Sequence, residues 1–214
     1  FTQVHYSEAL EFHRLLVPSE TLVIQGEISA IIPHRAGTRV VIKYDAIDET
    51  GLPVFTEYMG ALMRGVTCPD GGSGESNLPR IPSPKAAVKT IWEAPVEIDP
   101  MRPFIYDGCT DIVFPIHTSI KFAKSVGLPG IILQGTATLA LAVRELIDRE
   151  AKGNPSRLKR ICCRFTGMVL PDTIIRVQLT GTEGTGNGRN LFFQVVNPDN
   201  RRVISDGYAR ITNA

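Results

Sequence analysis

"QGTATLALAVRELIDREAKG", residues 134–153, is the strongest helix candidate in the chain. Ala, Leu, Val and Ile fill its first three turns, and Arg144, Glu145, Asp148, Arg149 and Glu150 come only towards its end. Thr136 or Thr138 is placed to cap the start, and Gly153 followed by Pro155 supplies the stop. A helix apolar around most of its circumference is buried, so a sheet is expected to wrap this one.

The sheet is legible on both sides of the helix. "FTGMVLPDTIIRVQLTG" (165–181) resembles "FHRLLVPSETLVIQGE" (12–27): Phe, six steps to Pro, a polar turn, then alternating apolar residues. Stretches 39–65 and 189–211 follow, each a strand, a turn rich in Asp, Asn, Gly or Pro, and a second strand. This alternation predicts β-hairpins, roughly four antiparallel strands in each copy. The first copy has no helix of its own. "CPDGGSGESNLPRIPSPKA" (68–86) is too dense in Gly, Ser and Pro to pack as an element and reads as a linker. The expected organisation is α+β: an N-terminal half of strands only (1–67), a linker (68–98) and a C-terminal module holding the helix (99–214). Set edge to edge, the two copies would make one continuous sheet and remove an exposed edge from each.

Bulk composition excludes several classes. The chain has 214 residues, 43% hydrophobic and 21% charged, as in a globular protein. A formal charge of +1 with scattered Lys and Arg gives no case for nucleic acid. No apolar run reaches the roughly 18–20 residues that span a bilayer. The start "FTQVHYSEAL" lacks the regions of a signal peptide, and the absent Met implies that residue 1 is not the natural start. Cys68, Cys109, Cys162 and Cys163 include no Cys-x-x-Cys pair. Neighbours on a strand face opposite ways, so Cys162 and Cys163 do not suit one metal. No metal or cofactor is expected, and the location is cytoplasmic or another reducing compartment. His13, in a strand, and His34, beside a turn, read as structural or solvated. "GTEGTGNG" (181–188) lies between strands with no helix after it and reads as a hairpin. Trp92 is expected to fix the linker exit against the first half.

"CTDIVFPIHTS" (109–119) sets Asp111 and His117 among apolar residues. Either both are satisfied locally in a loop, or they face one another across an apolar cleft. Residues 106–146 resemble the hydratase motif of the MaoC-like family, the R-specific enoyl-CoA hydratases and dehydratases of the hotdog fold. Tyr106 stands five before Asp111; Pro115, Ile116 and His117 match the second half of the motif, Ala123 and Gly127 its middle, and Gly135 its end. The chain departs by one residue inserted between Asp111 and Pro115, by Phe114 for Asn, by Cys109-Thr110 for Ser-Gly, and by Gln134 for the His before Gly135.

The resemblance implies two tandem hotdog modules, the first degenerate and without its central helix. It implies addition or removal of water across the double bond of an acyl thioester, carried by coenzyme A or an acyl carrier protein. Asp111 and His117 would be the acid–base pair, and the amide of Gly135 the donor to the thioester oxyanion. Such a donor is worth about 3–4 kcal/mol. Phe114 and Gln134 would contact substrate. A homodimer follows by fold analogy. The rivals are a thioester-binding or assembly half without catalysis, and a hotdog thioesterase.

Overall fold

The computed structural model describes residues 3–85 and 89–213. Four strands come first: β1 (Gln3–Phe12), β2 (Leu22–His34), β3 (Gly37–Asp48) and β4 (Pro53–Arg64). Then follow β5 (Trp92–Ile98) and three helices: α1 (Arg102–Thr110), α2 (Ile120–Ser125) and α3 (Gly135–Glu150). The chain closes with β6 (Leu158–Phe165), β7 (Thr173–Thr185), β8 (Gly188–Val196) and β9 (Arg202–Thr212).

All nine strands form one antiparallel sheet in the order β2-β3-β4-β1-β6-β9-β8-β7-β5. Read outward from the β1–β6 junction, the two halves repeat one order. β1, β4, β3, β2 on one side correspond to β6, β9, β8, β7 on the other. Phe12 and Phe165 end the matching strands β1 and β6, six residues before Pro18 and Pro171, so the weak repeat in sequence is a repeat in space. Pairing through β1 and β6 removes an edge from each half. This is the hotdog arrangement, a sheet wrapped about a long helix.

The core lies between α3 and the second half of the sheet. Ile175, Val177 and Leu179 of β7, with Leu191, Phe193 and Val195 of β8, turn alternate residues onto Leu139, Ala142 and Leu146. Cys163 belongs to this helix-side core, whereas Cys162 joins Ala9, Phe192 and Tyr208 on the other face. α3 stops as expected: Gly153, at φ +71°, donates its amide to Ile147 O. Its start differs. Gln134 is the N-cap and makes no side-chain cap, while the Thr138 hydroxyl donates back to Gln134 O at 3.1 Å. Neither Thr136 nor Thr138 caps.

Residues 92–98, assigned above to the linker, are strand β5 on β7. Trp92 packs on the second half, not the first: its Nε1 donates to Glu150 Oε1 at 2.8 Å and Arg149 lies over its ring. Residues 86–88 of the expected linker lie outside the described residues. Residues 73–78 pack on the first half, with Ser73 bridging Ile31 and Leu78 covering Ala30, Ile32 and Val41, whereas Arg80 and Lys85 bond Arg160 and Glu183 of the second. His13 follows the end of β1 and contacts Thr56 Oγ1 at 3.0 Å. The β7–β8 hairpin closes through Gly186 and Asn187, as the glycine pattern predicts.

Candidate active site

Ile116 and His117 of the motif meet the segment that leads into the N-terminus of α3. Ile132 and Leu133 lead into it in a pinned segment, Ile132 N bonding Ile116 O and Leu133 N bonding Val169 O. Helix geometry leaves the amides of Gly135, Thr136 and Ala137 without an acceptor inside the helix, which gives this end its partial positive charge. A Cβ on Gly135 would meet the ring of Phe165 at 3.1 Å, so the missing side chain lets β6 pack against the helix start.

His117 sits in the turn between Pro115 and α2 and is 9% exposed. Its Nδ1 lies 2.8 Å from Ile132 O. A carbonyl oxygen only accepts, so Nδ1 carries the proton and the neutral ring has its lone pair on Nε2. Burial holds the imidazole below its ordinary pKa, against the opposing pull of the Ile132 bond and the charge of Asp107. Near neutral pH His117 is therefore a neutral ring poised to accept a proton at Nε2. Phe114 stands edge-on to it at 6.3 Å between centroids, and to Phe122 at 6.2 Å. The phenyl ring that replaces the motif's Asn thus forms an apolar wall beside the base.

Asp111 and His117 are the pair the motif implies, and the structure gives Asp111 a different setting. Asp111 is exposed, at φ +55°, and closes α1 with its own amide on Asp107 O. One more helical residue would have left it on the same face as Asp107 and Pro103, one turn apart each. The left-handed turn takes it off that register. The carboxylate whose charge reaches His117 is Asp107, 6% exposed on α1. Gln134, 2% exposed, donates from Nε2 to Pro103 O at 3.0 Å and to Asp107 Oδ1. Gln134 therefore locks α1 onto the start of α3. Asp107 is not among the residues that match the motif, and its place follows from α1, whose start is signalled in the sequence by Pro103 in the first turn. Among the described residues no group of three or more His, Cys, Asp or Glu could hold a metal ion.

A hotdog sheet with a buried imidazole at the mouth of its helix defines the class of protein. Residues 83–199, more than half of the chain, match the MaoC like domain, and the chain belongs to that family. It is 26% identical over 214 residues to the peroxisomal multifunctional enzyme type 2 of Drosophila melanogaster, covering 99% of this chain but 34% of that protein. A Dictyostelium discoideum protein named "Probable enoyl-CoA hydratase 2" is 25% identical over 210 residues, 97% of this chain and 69% of its own length. The crystal structure of a MaoC-like dehydratase from Phytophthora capsici superposes with a TM-score of 0.88 at 25% identity. That match covers 100% of this chain and 72% of the other. This chain thus spans about a third of the first relative and about two thirds of the second.

Proposed function

We propose that this chain is a hydro-lyase that adds water to, or removes it from, the α,β double bond of an acyl thioester, with coenzyme A as carrier. The observation that carries the reading is the fixed tautomer of His117, a buried neutral base, at the segment leading into α3, whose first amides have no acceptor inside the helix. In hydration, Nε2 takes one proton from water as the water oxygen bonds to the β-carbon. The double-bond pair moves towards the carbonyl, and charge gathers on the thioester oxygen, where the α3 amides oppose it. The imidazolium then returns that proton to the α-carbon, and dehydration runs the same steps backwards.

A carboxylate beside the base would hold the water, and the charge that reaches His117 is that of the buried Asp107. Phe114 and the apolar neighbours would exclude bulk solvent. The first half supports an acyl site. Leu10 packs into the α3 core, and the row Leu10, Glu57, Tyr44, Gly26 runs across paired strands on that same face. Ile24 and Ile28 share the face of Gly26 and are 55% and 64% exposed, an apolar floor continuous with the helix side. Cys68, Cys109, Cys162 and Cys163 are all free thiols, which suits a reducing compartment. No helix among the described residues is long and apolar enough to cross a membrane.

The test incubates the protein with trans-2-enoyl- and 3-hydroxyacyl-CoAs of short, medium and long chain and follows the masses. Gain or loss of one water, abolished in His117→Gln, is the expected result. Release of free coenzyme A thiol would assign a thioesterase instead, and binding without mass change a non-catalytic thioester carrier.

A further inference from the structure

We propose that Asp107, four residues before the motif's acid, is the carboxylate that holds the attacking water against His117. The inference rests on the hydratase reading and names the second group of its acid–base pair. Both amide hydrogens of Gln134 are spent, one on Pro103 O and one on Asp107 Oδ1. That leaves Gln134 Oε1 and Asp107 Oδ2, two buried acceptors to which no described residue donates. A fold keeps buried acceptors without donors at a cost, and two of them together suit a ligand that brings hydrogens. Water has two to give.

The placement fits the chemistry. Asp107 is tied through Gln134 to the residue before Gly135, and His117 is tied through Nδ1 to Ile132 O, two residues earlier. Two residues of extended chain span at most about 7 Å. Acid, base and oxyanion amides therefore hang on one short segment, and the charge of Asp107 is felt at His117. Asp111, exposed and turned off the helix register, has no such tether among the described residues.

In the step, one water hydrogen stays donated to Asp107 Oδ2 while the other swings from Gln134 Oε1 to His117 Nε2 and passes to it as the carbon–oxygen bond forms. The imidazolium gives its proton to the α-carbon and the carbonyl re-forms. Asp107 remains ionised throughout and stabilises the imidazolium. One water is added, and no electron or proton is left over.

The experiment compares the full chain with Asp107→Asn, Asp111→Asn and His117→Gln on the enoyl-CoA the wild type hydrates best. Asp107→Asn is expected to lower kcat/KM by about a hundredfold or more, and Asp111→Asn to stay within about threefold. Loss of the Asp107 charge also removes a group that holds the His117 proton, so the acid limb of the pH profile in Asp107→Asn should move to lower pH. A mere packing defect would not move it. Wild-type activity in Asp107→Asn overturns the assignment. So does a hundredfold loss in Asp111→Asn, an exposed site whose variant folds even if Asp107→Asn does not. Activity lost in His117→Gln but intact in Asp107→Asn defeats this inference alone, whereas a wild type inert to every enoyl-CoA defeats the hydratase reading and this inference together.

Discussion

Replacing Glu57 by Gln should make the protein more stable above pH 7 and leave it nearly unchanged at pH 5. Glu8 on β1 pairs with Met59 on β4, so Glu57 is its diagonal neighbour on the helix-side face. Glu8 is only 3% exposed. Burial first, then the negative charge of Glu8 and a hydrogen bond to it, push the Glu57 carboxyl from 4.5 up to about 7; His5 opposes the shift. His5 Nε2 lies 3.0 Å from Glu8 Oε2. Glu57 thus keeps its proton beside Glu8 up to about pH 7. From about pH 4.5 to 7 the folded chain keeps a proton that the unfolded chain has released, so stability falls as pH rises through that window. Two and a half units at about 1.4 kcal/mol each would give roughly 3.5 kcal/mol, but Glu57 is only half-buried and solvent screens part of it. An effect of about 1–2 kcal/mol remains. A Gln amide donates to Glu8 at every pH, so the variant should gain that amount at pH 8, about 2–8 °C in Tm for a chain of this size. The assay is thermal and urea unfolding of both proteins at pH 5 and pH 8 at one ionic strength. An equal difference between the two proteins at both pH values, or a variant weaker at pH 8 than at pH 5, would refute the shared-proton argument.

Two further outcomes test the frame around the site. Gly135→Ala places a methyl 3.1 Å from the Phe165 ring, which itself stacks on His5 at 4.6 Å and has little room to retreat. The variant should lose about 1–3 kcal/mol in thermal unfolding and lose hydration activity with it; an unchanged Tm would show that Phe165 moves freely. Leu146→Ala, at a side chain 1% exposed on the buried face of α3, should cost about 2–5 kcal/mol in urea unfolding. A loss below 1 kcal/mol would mean that α3 is not the centre of the core.

Much of the fold could be read because its hydrophobic periods are clean. α3 carries its pattern without interruption, the hairpins β3–β4 and β8–β9 are marked by their turns, and the spacing from Phe12 to Pro18 recurs from Phe165 to Pro171. β5 escaped although Ala94, Val96 and Ile98 alternate inward, since Pro95 argues against a strand. The structure removes the objection by placing β5 at the sheet edge, where β7 is its one partner and a missing amide costs little. β1 has no clean alternation either. It joins the two halves, and its buried Glu8 lies beside Glu57 and His5, outside any local pattern.

The place of His117 was legible in the sequence and the carboxylate whose charge reaches it was not, for a reason that lies in the backbone. A motif fixes residues by spacing along the chain, whereas a side chain reaches a site by the rotation of its element. Pro103 and Asp107 are four apart on α1 and share its buried side. Asp111 is four further on and would follow them if the helix continued. The left-handed conformation at Asp111 ends α1 one residue too early for that, and the extra residue before Pro115 then carries the chain on to His117. The same insertion that blurs the motif is thus where the chain turns one carboxylate out to solvent. The other stays beneath Gln134, where the motif's His would stand. A Gln there can donate to a carboxylate and still offer an acceptor, a combination that a neutral His, with one donor and one acceptor, matches only by giving up the bond to Pro103 O. Gln134 is in this sense explained by its neighbour: the amide that stands for the motif's His donates to the carboxylate of Asp107.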